Sequence, residues 1–94
     1  MTQIKKKKKV DYEALNSPFM RIPHMRVEAA RDLIDLGFHE VYELTGRAPE
    51  ILYSEIKQRR PATPEERLAY FKMAVYYAET ASPEPGLLHP GAWL

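Results

Sequence analysis

The sequence contains no cysteine, which excludes disulfide staples and thiolate metal sites and suits a reducing compartment. No apolar run approaches the roughly 18–20 residues that a membrane span requires. The N-terminus is basic, but no apolar stretch follows it, so no secretory signal is expected and a cytoplasmic protein is the simplest reading. Sustained period-two alternation is absent, which argues against strands. So are a phosphate-cradling glycine loop, a dinucleotide fingerprint and a nucleophile elbow. The three histidines, His24, His39 and His89, are far apart, none stands four residues from another histidine, and cysteine is absent, so no metal and no other cofactor is expected. Glu40, Glu43, Glu50, Glu65 and Glu66 fall in or near first helical turns, where carboxylates complement the helix dipole rather than form acid–base pairs. An enzyme is therefore the least expected class, and no small-molecule substrate is indicated.

What the chain does have is a core's worth of apolar residues: 45% of 94 positions, enough for one small domain. The formal net charge of +1 conceals an asymmetry, because Lys5, Lys6, Lys7, Lys8 and Lys9 form an unbroken basic run and the remainder is mildly acidic. Residues 1–10 read as a disordered basic arm, 11–82 as a helical domain, and 83–94 as a Pro/Gly-rich extended tail. Within the domain, Asp11 to Leu15 can begin a short helix. Asn16-Ser17-Pro18 supplies a cap and a first-position proline for another, which Pro23 ends early. Val27, Ala30, Leu33 and Ile34 recur at helical spacing over about 25–36, with Glu28, Arg31, Asp32 and Asp35 on much of the other face and Gly37 as a left-handed cap. Phe38 to Leu44 is a short segment ended by Gly46. Pro49 opens a helix with Ile51, Leu52 and Ile56 inward, closed by a cationic end and Pro61. Thr63-Pro64-Glu65-Glu66 reads as a capping box before the longest helix, whose stripe is Leu68, Phe71, Val75 and Ala78, flanked by Ala74 and Tyr77. The fold class is all-α.

Ile22-Pro23-His24-Met25-Arg26, followed by Ala30, Leu33 and Gly37, resembles a helix-hairpin-helix. In that motif a short helix enters a Gly-hydrophobe-Gly hairpin, and a small residue on the next helix lets the two helices approach. Ile22 is the apolar residue before the turn, Met25 the inward hydrophobe, Ala30 the small contact and Leu33 the next core position. Downstream come Asp32 to Phe38, Val41 and Leu44, Pro49 to Tyr53, and Ala74 to Ala78. In this order the segments resemble the small bacterial pathogenicity-locus proteins, relatives of which are often labelled mitomycin-resistance proteins. The resemblance covers most of Ile22 to Glu79. It implies a five-helix domain of the type shared by helix-hairpin-helix and sterile-alpha-motif proteins, with a presumed link to DNA. His24 and Arg26 depart from the motif, standing where its two glycines let the backbone approach a phosphate. Met73 occupies a position where the family tends to carry cysteine, and only Trp93 remains of its C-terminal tryptophans.

Two functions follow as expectations. The first is sequence-nonspecific DNA binding, with His24 and Arg26 on phosphate, the Met25 amide as a donor, and Lys5 to Lys9 as an electrostatic tether. The second is a protein-interaction or homodimer module using the aromatic last helix and the tail, with Tyr70, Tyr76 and Trp93 as its candidate surface. The bland readings stand beside both: a hairpin that only packs, a lysine run that only solubilises, and aromatics that only hold the tail. Arg21, Arg26 and Arg31 are five apart and do not share one helix stripe. Lys57, Arg59, Arg60 and Arg67 read as a solvated basic helix end.

Overall fold

The computed structural model describes residues 9–94. Among them are four α-helices and four short 3-10 turns, with no strand, so the all-α class stands and the count of five helices does not. Helix α1 (Tyr12–Leu15) starts at Asp11, whose carboxylate accepts the Ala14 amide at 3.1 Å. The Pro18–Arg21 segment is a single 3-10 turn, since Pro23 forbids its continuation. Helix α2 (Val27–Asp35) buries Ala29, Ala30 and Leu33. It ends where the Phe38 amide donates to the Leu33 carbonyl at 3.0 Å and the Gly37 amide to that of Ile34 at 2.9 Å. Gly37 has φ +100°, the left-handed conformation this cap needs, and Phe38 is buried just beyond it.

The Val41–Leu44 3-10 turn carries a reciprocal capping box built on Glu40 and Glu43. The Glu43 carboxylate accepts the amides of His39 at 2.6 Å and Glu40 at 2.9 Å, and these two bonds hold its pKa below the ordinary value. The box expected at Thr63 does not form. Helix α4 (Arg67–Glu79) starts later and has no side-chain cap. Thr63 instead donates its hydroxyl to the Arg60 carbonyl at 2.7 Å and closes the turn from α3 to α4.

Helix α3 (Pro49–Arg59) begins at its proline and buries Leu52 and Ile56, four residues apart on one stripe. Ile51 lies one residue round from that stripe and is 57% exposed, so its expected inward position is wrong. Helix α4 buries Ala69, Tyr70, Phe71, Met73, Ala74 and Val75, far more than one stripe. It is wrapped by α2, α3, the Val41–Leu44 turn and the last 3-10 turn of the chain. Leu68 and Ala78, expected at the centre of its stripe, are only half-buried. Phe19, Ile22, Leu33, Leu44, Ile56, Phe71 and Met73 form the fully enclosed core, and a side chain of this size contributes roughly 1.5–3 kcal/mol on burial.

The tail is not extended. It folds back in two 3-10 turns, Pro85–Leu87 and Pro90–Trp93. Trp93 packs on Tyr76 with ring centroids 5.5 Å apart and donates its Nε1–H to the Leu87 carbonyl at 2.8 Å. The Tyr76 hydroxyl accepts the Glu84 amide at 2.9 Å. No helix among the described residues is long and apolar enough to cross a membrane.

Candidate functional site

The hairpin lies between the Pro18–Arg21 turn and α2. Ile22 and Met25 are buried on either side of it, 1% and 8% exposed, and pin its backbone to the core. Between them His24 has φ +63°, the sole positive φ among the described non-glycine residues. A side chain in that region costs roughly 1–2 kcal/mol. The resemblance places a glycine there, and the backbone has the conformation a glycine would favour. Arg26 is the N-cap of α2, extended at φ −96° and ψ 147°, and makes no side-chain cap bond. The first-turn amides of α2 therefore have no side-chain partner, and the positive end of the helix dipole opens beside His24 and Arg26.

The side chains at this opening are less free than the sequence implied. The Met25 amide donates to the Ile22 carbonyl at 3.2 Å, so the expected role of that amide as a phosphate donor is corrected: the tight turn has already used it. Arg26 makes two loose pairs, to Glu28 at 3.6 Å and Glu66 at 3.9 Å, and its side chain stays half exposed. Its pKa is raised, first by the Tyr70 hydroxyl and then by Glu28. His24 turns toward the tail. Its Nδ1–H donates to the Leu88 carbonyl at 2.9 Å, and its ring lies 4.7 Å from that of His89 at 50°. Arg21, at the exit of the 3-10 turn, is exposed and has no ion pair among the described residues. Judged by helix spacing Arg21 did not belong with Arg26. The chain between them is a hairpin, for which helix periodicity is the wrong measure.

A second cluster lies along α2 toward its C-terminal end. Asp32 was expected on the solvent face but is 2% exposed, because Arg60 and Arg67 close over it. Arg60 also reaches Asp35 at 2.9 Å. Arg31 contacts Asp11 at 2.8 Å, Glu13 at 2.8 Å and Asp35 at 3.0 Å. Hydrogen bonds to Arg31 and then to the Ala14 amide lower the Asp11 pKa to about 2. Burial works to raise the pKa of Asp35, but Arg31 and Arg60 outweigh it and hold it low. Asp11, Arg31, Asp32, Arg60 and Arg67 line a groove of about 490 Å³ together with Lys9. The basic helix end expected at Lys57–Arg67 is thus largely consumed. Arg60 and Arg67 neutralise carboxylates, and Lys57 donates to the Thr63 carbonyl at 2.9 Å.

The remaining expected residues divide as follows. Lys9 is exposed, while Lys5 to Lys8 lie outside the described residues. Tyr70 is 9% exposed, and Tyr76 and Trp93 pack on each other. Tyr70 thus belongs to the core, while Tyr76 and Trp93 are half-buried between α4 and the folded-back tail. No group of three His, Asp or Glu side chains among the described residues could hold a metal ion.

A family model described as "Pathogenicity locus" matches residues 13–86, from within α1 through the hairpin to the first turn of the tail. No curated protein and no solved structure matches the chain.

Proposed function

The chain belongs to the pathogenicity-locus family, and from that premise we propose that its hairpin is a helix-hairpin-helix contact, on a sterile-alpha-motif-like scaffold, for the phosphate backbone of DNA without regard to sequence. One observation carries this reading. His24 holds a left-handed backbone conformation directly before a nine-residue helix whose first turn has no side-chain cap. The turn closed by the Met25 amide requires that conformation, and it sets the N-terminus of α2, with the positive end of its dipole, beside His24 and Arg26. Arg26 at the helix N-cap supplies charge there, and exposed Arg21, before the hairpin, adds to the positive charge of this stretch. His24 can add a donor through Nε2 when protonated, and Lys5 to Lys9 act as a tether that raises the encounter rate. Contacts of this kind position a protein on a duplex without reading bases. On the sequence resemblance alone, the setting we propose for such binding is DNA-damage tolerance.

The test is fluorescence anisotropy with short duplex and single-stranded DNA across a salt series. Binding should be weak, with log K falling linearly against log salt. Arg26→Ala should reduce the slope by roughly one unit, as expected for one lost phosphate contact. Deleting Lys5 to Lys9 should reduce it further. Absence of binding at the lowest salt overturns the proposal, as does binding that ignores both changes.

A further inference from the structure

Resting on that reading, we propose that the C-terminal segment from Glu84 to Leu94 is a strap that occupies the hairpin face and must swing away before a polyanion can engage it. The contact is specific in geometry. His24 is fixed by a hydrogen bond to a carbonyl 64 residues downstream and by the ring of His89. The hydrogen bond commits Nδ1–H to Leu88, so that donor is occupied while the strap is in place. Its acceptor is a carbonyl oxygen, and a carbonyl dipole presents negative charge where a phosphate oxygen would be expected to come. The strap thus mimics the ligand's polarity at the residue assigned to the ligand.

The strap is also built to release. Its anchors are the packing of the Pro90–Trp93 turn on α4, with Trp93 against Tyr76, and the Glu84 amide bond to the Tyr76 hydroxyl, while the Trp93 Nε1–H bond to Leu87 lies within the strap itself. None of its residues is fully buried, and Leu94 is 89% exposed. His89 Nδ1 accepts the Gly91 amide at 3.2 Å and so shapes the last turn from within. The strap's apolar contact with the body of the domain runs through Trp93, which packs against the core cluster from outside. An element held this way opens at a fraction of the cost of global unfolding. The apparent affinity for DNA then equals the intrinsic affinity scaled by the open fraction.

Full-length variants test this without altering the hairpin. Trp93→Ala removes the main anchor, and His89→Ala removes the ring against His24. Both should bind a short duplex roughly three- to tenfold more tightly than the parent at the same salt, through a larger open fraction. Trp93 is the single tryptophan, so its emission reports the strap directly in the unmodified protein. DNA should shift that emission to the red and make it more accessible to acrylamide. Unchanged affinity in both folded variants, with Trp93 emission insensitive to DNA, overturns the strap while leaving DNA binding intact. Failure of parent and variants alike to bind overturns the DNA reading and the strap's role together. Weaker binding by the variants assigns the tail to the binding surface instead and also overturns the strap. Circular dichroism of each variant checks that the helical fold persists. Should Trp93→Ala unfold the domain, His89→Ala alone decides the outcome.

Discussion

The two ends of α2 hold similar side chains and use them in opposite ways. At its C-terminal half, Arg31, Arg60 and Arg67 meet Asp11, Asp32 and Asp35 in direct pairs, and Asp32 is lost from solvent. At its N-terminus, Arg26 faces Glu28 and Glu66 at distances of 3.6 Å and more and stays half exposed. The first arrangement consumes charge to tie α1, α2 and the α3–α4 turn together. The second leaves charge available beside an uncapped helix start. A count of basic residues treats the two alike. What separates them is whether a carboxylate is held within reach by a third element, since a desolvated pair and a loose exposed pair differ several-fold in worth.

The largest expected effect comes from breaking the closed end. Asp32→Ala removes two charge-assisted hydrogen bonds and leaves Arg67 without its carboxylate, while Arg60 keeps Asp35, so a loss of about 2–3 kcal/mol is expected. Urea unfolding followed by circular dichroism should show this as a much lower midpoint with an unchanged slope. The hairpin offers a smaller contrast. His24→Gly and His24→Ala both lose the bond to Leu88, but only alanine keeps a Cβ at φ +63°. The glycine variant should therefore be the more stable of the two by about 1 kcal/mol in the same assay. Equal stabilities would mean that the hairpin relaxes out of the left-handed region. Smaller still is Arg26→Ala, which should change stability by less than about 0.5 kcal/mol because its pairs are long and exposed. A loss comparable to that of Asp32→Ala would erase the distinction between the two ends.

Acid supplies the last test. The folded pKa of Asp11 is lowered to about 2 from the ordinary 3.8, so its contribution is present above the unfolded value and disappears as pH falls through the folded one. Melting temperature measured between pH 5 and pH 2 should fall over that window. Asp11→Asn should flatten the part of the fall that Asp11 causes, leaving the parts due to Asp35 and Glu43, whose pKa values are also lowered.

Much of the scaffold was readable because punctuation residues set it. Pro49 starts α3, Gly37 caps α2, and Pro23 halts the Pro18–Arg21 turn, each through a backbone constraint that acts within a few residues. The positions that misled share a different property. Asp32 looks solvent-facing by periodicity, and its burial depends on Arg60 and Arg67, 28 and 35 residues away. Thr63 carries the pattern of a capping box, yet the tight α3–α4 turn claims its hydroxyl. The tail's prolines and glycines suggest an extended chain, while its course is set by Tyr76 and by His24, far upstream. For the hairpin, the left-handed site at residue 24 was marked by the motif's glycine, but the hold of Leu88 on that histidine has no local signal. Tertiary partners decided each of these, and a single sequence states them only as residue types.

The position of α4 has a consequence for how this chain is made. Helix α4 is the element around which α2, α3, the Val41–Leu44 turn and the last turn of the chain assemble, and it begins at Arg67 of 94 residues. During vectorial synthesis the earlier helices emerge with their apolar faces uncovered, and Asp32 emerges before either arginine that neutralises it. Closure must await the synthesis of α4. Synthesis and folding are therefore not stepwise here. A nascent chain paused before Tyr77 should remain fully sensitive to protease, and protection should appear in one step once α4 clears the ribosome.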